Sequence, residues 1–382
     1  PGVRKRPREE TRGTGRAEVI TSVDVSENVQ RRLRALAHSR IRPLVAGLKM
    51  LPLMSADGKE AVLVLSVPRS PDAPHTIARD GGEGRDGWLG VPFRSGPETH
   101  WMRERELERA YRDRFSRQVA EQEHLASLML EVGERLGQEA APWIVGVARP
   151  RTPLAGIVAP PSMEDIRRLL TEVVPLRSVE ILPKSGIRIE SVSELGIAAH
   201  NPRVGLRRWV VQTQAPIGSE GLANFVHVQL HHDGSVALAV AMDVVNAETL
   251  DGFTRVPQSV VESFAADFIA LVEAYARELG AQTPMSFRVD LAHTEASKPL
   301  VLIDFRRFGE NVVPPAKRIP GSFSLSALRP VEGEIPLTGD LETLRAVARE
   351  MAADVINQFG VAALRMLGWR DRHPLHDPDR PA

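Results

Sequence analysis

Apolar positions change period along the chain, and the changes mark out the elements. Val29, Leu33 and Leu36 follow Ser26 at helical spacing, predicting a helix whose opposite stripe carries Arg31, Arg34 and His38. Apolar stretches at 47–54 and 61–67 flank Ala56-Asp57-Gly58, a hairpin signal because Asp-Gly tolerates a tight turn. A proline-rich loop, a glycine-rich tip at 80–87 and a short strand around 88–93 come next. Leu107, Tyr111, Phe115 and Val119 then repeat every four residues, with Arg105, Arg109, Arg112 and Arg117 elsewhere around the surface. This predicts a helix from Thr99 or His100 to beyond Leu125.

A second set of elements begins near Pro142. Residues 143–148 are strand-like, and RPRTPLAGIVAPP is a proline-rich connector. Ser162 and Asp165 form a capping pair for a helix to about Val174. Strands at 207–214, 225–231 and 235–242 follow, the last two joined by Asp233-Gly234. A helix over 257–279 buries Phe264, Phe268, Leu271 and Tyr275; strands at 285–292 and 300–305 and a helix from Leu341 to about Phe359 complete the set. Strands grouped in hairpins and interrupted by helices imply an α+β fold class, a sheet layered with helices. The expected organisation is a first module at 1–118, a helix and proline-rich linker at 119–161, an α+β domain at 162–370 and a disordered tail at 371–382. Residues 1–16 read as a loop or flexible arm.

With 382 residues, two or three domains are expected. A hydrophobic share of 42% and a charged share of 26% are those of a globular protein, and no apolar run approaches the ~20 residues of a membrane span. The absence of cysteine excludes disulfides, thiolate metal sites and thiol nucleophiles, and fits a reducing cytoplasm. No secretory signal is visible, and the missing initial methionine leads us to expect a longer gene product. The formal net charge of zero is unevenly divided. Residues 1–118 hold 23 Lys+Arg against 16 Asp+Glu, a net of +7, and the remainder carries the opposite excess. A positive first third points to an anionic partner, nucleic acid first.

Candidate chemistry is concentrated in VLSVPRSPDAPHTI. Its prolines fix φ and lower the entropy of ordering the loop, so Arg69, Ser70 and His75 would be presented with little conformational cost. A guanidinium fork suits phosphate. The alternative is structural: Arg69 pairing with Asp72, and His75 capping a turn. Arg94 lies at a further strand end, ahead of the expected helix start at Thr99, where backbone N–H groups would favour an anion. If the two strands are neighbours, Arg69, His75 and Arg94 converge at one sheet edge.

VLVLSVPRSPDAPHTI, the glycine-rich tip and VPFRSGPETHWMRERELERAYRDRF together resemble the C-terminal half of the Schlafen AlbA-type domain. The family's strand ending in "VP.S" matches Val67 to Ser70, its "PH" matches Pro74-His75, and its "R.G..T" matches Arg94, Gly96 and Thr99. The family's final helix arginine falls within 106–114, and Gly2-Val3 is similar to the tail of its "GG..l.iGV" strand. The likeness covers 1–118. It implies a DNA- or RNA-binding module with a divergent AAA-like, ATP-binding description, found in bacterial regulators and in RNA endonucleases. The acidic segment from which the nuclease members take their catalytic residues has no counterpart here, so no catalytic residue carries over. No GxxxxGK[ST] loop accompanies the ATP-binding description.

Elsewhere the residues are read as structural. His227, Gln229 and His231 alternate on one strand face, expected to be solvated; imidazoles at i and i+4 of a strand lie roughly 13 Å apart, too far to share a metal. Arg207-Arg208 and Arg306-Arg307 are expected to be surface charge, and His293 with Glu295 adds nothing specific. No nucleophile elbow or His-Glu-x-x-His helix occurs. The expectation is a cytoplasmic nucleic-acid-binding regulator or defence-type protein without cofactor or membrane partner, contacting phosphates through Arg69, Ser70, His75, Arg94, Arg31 and Arg34. Two alternatives stay open: a Schlafen-type metal-dependent RNase with upstream carboxylates, and a protein-interaction scaffold forming a homo-oligomer through its second domain.

Overall fold

A computed structural model describes residues 3–4, 19–20, 22–45, 47–55, 60–67, 70–79, 88–95, 98–136, 142–152, 154, 159–182, 192–213, 225–242, 252–281, 283–292, 298–304, 307–308, 311–312 and 317–368. The Asp57-Gly58 turn, Arg69, the tip at 80–87, His293, Glu295, Arg306 and the tail at 371–382 lie outside them. The chain forms two compact units, Pro1–Glu121 and Gln122–Ala382, and both helices and strands in several sheets make it α+β.

The first unit is built from short local pairings. β1 (Val3–Arg4) pairs antiparallel with β2 (Val19–Ile20), so this part of the expected arm is extended and paired. Ser26 caps α1 (Glu27–Arg40), its hydroxyl accepting the Val29 N–H. β3 (Ile41–Arg42) follows, then the hairpin of β4 (Lys49–Met54) and β5 (Ala61–Ser66), in register from Lys49↔Ser66 to Met54↔Ala61. β6 (Thr76–Arg79) bridges β3 and β7 (Trp88–Gly90). β8 (Pro92–Ser95) pairs only with β9 (Glu98–Trp101) among the described residues. The stretch from Thr99 to Trp101 is therefore strand rather than the expected helix start. α2 (Glu104–Arg135) begins three residues later, where the Glu106 carboxylate accepts the Arg103 N–H at 2.8 Å.

The second unit holds the main core. Its seven-stranded antiparallel sheet has the order β11-β12-β13-β14-β10-β16-β22. In chain order these are β10 (Trp143–Pro150), β11 (Arg203–Gly205), β12 (Arg208–Gln212), β13 (Val226–His231), β14 (Val236–Ala241), β16 (Met285–Ala292) and β22 (Val331–Ile335). At the Asp233-Gly234 turn the Asp233 carboxylate accepts the Ser235 N–H, and Gly234 takes φ +88°. A smaller sheet contains β15 (Thr254–Pro257), parallel to β17 (Leu300–Asp304), with β20 (Lys317–Arg318) and β21 (Ser324–Leu325) also on β17. β18 (Arg307–Phe308) and β19 (Asn311–Val312) form a separate pair.

One face of the large sheet carries α3 (Met163–Arg168), α4 (Val174–Ile181), α5 (Gln258–Glu278) and α6 (Leu341–Asn357). The Ser162–Asp165 capping box opens α3. The helix then passes through a π turn, Leu169–Val173, and continues to Ile181, beyond its expected end at Val174. Pro175 lacks an N–H and its ring crowds the preceding turn, and the wider turn relieves that conflict. Phe264, Phe268, Leu271 and Tyr275 of α5 are buried as expected, and Phe264 stacks on Phe268 at 5.6 Å. Glu262, Asp267 and Glu273 of α5 are buried with partners. Glu262 accepts the N–H groups of Arg365, Met366 and Leu367 at 2.7–2.9 Å, and Glu273 meets Arg177 and Arg277.

The opposite face is also covered. Ala237, Ala239 and Ala241 of β14 form a shallow stripe between Trp143, Val145 and Val147 on one side and Phe225 on the other. Leu125, Val132 and Leu136, from the carboxy-terminal half of α2 and its end, pack into it. Side chains this small let a helix approach the sheet closely.

Candidate functional site

The proline-rich loop is pinned inward where it is described. Ser70 accepts the Asp72 N–H at 3.2 Å, closing a local turn. Asp72 meets Arg114 of α2 at 3.8 Å, and Arg117 donates to the Ala73 carbonyl at 3.3 Å. His75 Nδ1 lies 2.7 Å from the Pro43 carbonyl; a carbonyl only accepts, so Nδ1 carries the proton. His75 Nε2 is buried without a hydrogen-bond partner. The ring thus ties the loop to the segment after β3 and presents no nitrogen to the surface.

Arg94 is exposed and donates to Thr99 across the β8–β9 pair at 3.2 Å. The condition for Arg69, His75 and Arg94 to converge at one sheet edge, that their strands be neighbours, is not met among the described residues. β5 pairs with β4, β7 with β6 and β8 with β9, so the strands bearing the two motifs are not neighbours. Each is held by its own local hairpin.

α1 provides the open cationic surface. Arg31, Arg34 and His38 are all exposed, at spacings of three and four residues that place them on one stripe. Arg31 donates to the Asn28 side-chain oxygen at 3.2 Å and Arg34 to that of Gln30 at 3.4 Å. Both acceptors are neutral amides of the same helix. Among the described residues neither guanidinium is paired with a carboxylate.

In the second unit the structure corrects the sequence reading. The face bearing His227 and Gln229 is not solvated: they are 2% and 0% exposed, and Arg208, expected at the surface, is 6% exposed. Arg207 is exposed. Arg208 Nη1 donates to Gln229 Oε1 at 3.0 Å and to Glu131 of α2. Gln229 also contacts His227 Nε2 at 2.8 Å and His231 Nε2 at 3.1 Å. Its amide thus bridges two imidazoles that are too far apart to share a metal. Burial first, then the charges of Arg135 and Arg208, hold the His227 pKa down to about 4. The Arg208 hydrogen bond holds Glu131 below the usual carboxylate range. Alternation in VHVQLH suggests a wet face; the sign that it is covered lies in the next strand, where the small residues of VALAVA leave room for a helix.

Among the described residues no group of three or more His, Asp or Glu side chains could hold a metal ion, and no helix is long and apolar enough to cross a membrane. No protein-family model, no curated protein and no solved structure matches the chain.

Proposed function

We propose that the chain binds nucleic acid through its first unit, with the α1 stripe of Arg31, Arg34 and His38 as the phosphate-contacting surface and Arg94 as a second contact. The observation that carries this reading is the pair of exposed guanidinium groups on α1 that, among the described residues, meet only neutral amides of their own helix. Exposed arginines left without acidic partners offer planar forks to phosphate oxygens. The net of +7 over 1–118 supports the same partner, as does the resemblance of that segment to the Schlafen AlbA-type domain. Within this reading His75 and Ser70 are scaffold: they shape the loop that packs on α2 and are not themselves contacts. Arg69 remains a candidate on residue type.

Binding would be dominated by counterion release and largely indifferent to sequence. Titrating the full chain into fluorescein-labelled single- and double-stranded oligonucleotides, with anisotropy read at rising salt, tests it. Affinity is expected to fall steeply from 50 to 200 mM salt. Absence of binding at 50 mM salt, together with a stable homo-oligomer, would favour the second reading, a protein-docking scaffold. What favours that reading is the β4–β5 hairpin, which exposes Leu51, Leu53 and Leu65 by half or more.

A further inference from the structure

The hydrogen bonds of the polar network beneath α2 have only one consistent direction. A guanidinium has donors and no acceptor, so the Arg208 contact at 3.0 Å fixes the oxygen end of the Gln229 amide. The same oxygen takes His231 Nε2 at 3.1 Å. The amide nitrogen is therefore turned toward His227 Nε2 at 2.8 Å, where only a lone pair can receive it. The His227 proton must sit on Nδ1, which is buried and has no hydrogen-bond partner. A second proton could enter only at Nε2, head-on to the Gln229 NH2 group. Turning the amide over would relieve that clash but set its NH2 group against Arg208.

Arg208 also holds α2, because the Nη1 that donates to Gln229 donates to Glu131 as well. The charged and titratable groups around the imidazoles come from three places. His227 faces Arg135 of α2 and Arg208 of β12; toward β14 it is paired in register with uncharged Ala239. His231 faces Arg208, Glu131 of α2, and Asp233 and His232 of the adjoining turn. A proton on His227 thus adds a third cation beside Arg135 and Arg208, with Glu131 the carboxylate that α2 brings against them. The rest of this joint is the packing of Leu125, Leu128, Met129, Val132 and Leu136 on the alanine stripe and its flanking Trp143, Val145, Val147 and Phe225, with a Gln122–Glu332 hydrogen bond at 3.5 Å, whereas the phenylalanines of α5 pack on the opposite face.

The geometry points to an acid-operated latch: protonation of His227 breaks the Gln229–Arg208–Glu131 chain and releases the carboxy-terminal half of α2 from the sheet, while the core on the α5 side stays folded. The release acts within the second unit and is independent of the nucleic-acid reading.

The chain has no cysteine, so Glu134→Cys on α2 and Arg203→Cys on β11, both exposed positions, can carry a pair of spin labels. Pulsed dipolar spectroscopy on the full chain should give one narrow distance at pH 7 and a broad, longer distribution at pH 4, with far-UV circular dichroism retained. His227→Gln keeps an acceptor for Gln229 and does not titrate, so its distance should stay narrow at pH 4. An unchanged distance in the parent at pH 4, the same opening in His227→Gln, or loss of circular dichroism over the same range would overturn the latch. Nitrogen-15 histidine spectra of the unsubstituted chain test it without relying on the variant. His227 should be the Nδ1–H tautomer at pH 7 and should titrate below pH 5. The Nε2–H tautomer, or an ordinary titration near 6.5, would refute it.

Discussion

His227 adds no pH-dependent cost above pH ~6.5, where the imidazole is neutral in both folded and unfolded states. Below that value the unfolded chain takes up a proton that the folded site refuses until about pH 4. A pKa depressed on folding means that stability present above the unfolded value is lost as pH falls toward the folded one. The window is therefore about 6.5 to 4, and the loss by pH 4.5 is roughly 2–3 kcal/mol. Urea denaturation at pH 7 and pH 4.5 should show that loss in the parent chain and a smaller one in His227→Gln; equal losses would place the effect elsewhere. None of this was legible from residue types. A histidine two residues from a glutamine on a strand looks the same whether water or a helix lies above it. His75 is comparable: its proline-stiffened setting was visible, but its bond to Pro43, 32 residues away, was not.

Elements were most legible where their signals were local. Asp233-Gly234 marked the β13–β14 hairpin, and the aromatic repeat of α5 marked its buried side, because turn chemistry and helical period act over a few residues. Thr99 and His100 were misassigned for the same reason. Their pairing with Arg94 and Phe93 is what makes them strand, and the helix signal belonged to Glu106, which caps Arg103. How α5 docks on β10 is another non-local feature. A Cβ built on Gly146 would lie 2.9 Å from Phe264 and 3.0 Å from Phe268, so this glycine sets how closely the stacked rings approach the sheet. Gly146→Ala should displace those rings and cost about 1–3 kcal/mol, read as a lowered denaturation midpoint with unchanged slope. An unshifted midpoint would mean that the rings have room to move.

The two units differ in kind. The second buries an apolar cluster on each face of its large sheet. The first is an assembly of hairpins and helices in which, among the described residues, only Ala61, Pro74 and Val91 are buried apolar side chains, and Leu51, Leu53 and Leu65 are exposed. Its charge asymmetry was legible in the sequence; which arginines it leaves open was not, because that depends on which side chains find acceptors. Arg114 and Arg117 are engaged by the 70–75 loop, whereas among the described residues Arg31 and Arg34 are not engaged beyond their own helix. The most direct test of nucleic-acid binding through α1 is the salt dependence of oligonucleotide affinity for the parent chain and for the Arg31→Ala, Arg34→Ala double variant. If both side chains contact phosphates, the slope of log K against log salt becomes shallower by about 2 for duplex DNA. Identical affinities and slopes for the two proteins would contradict the account.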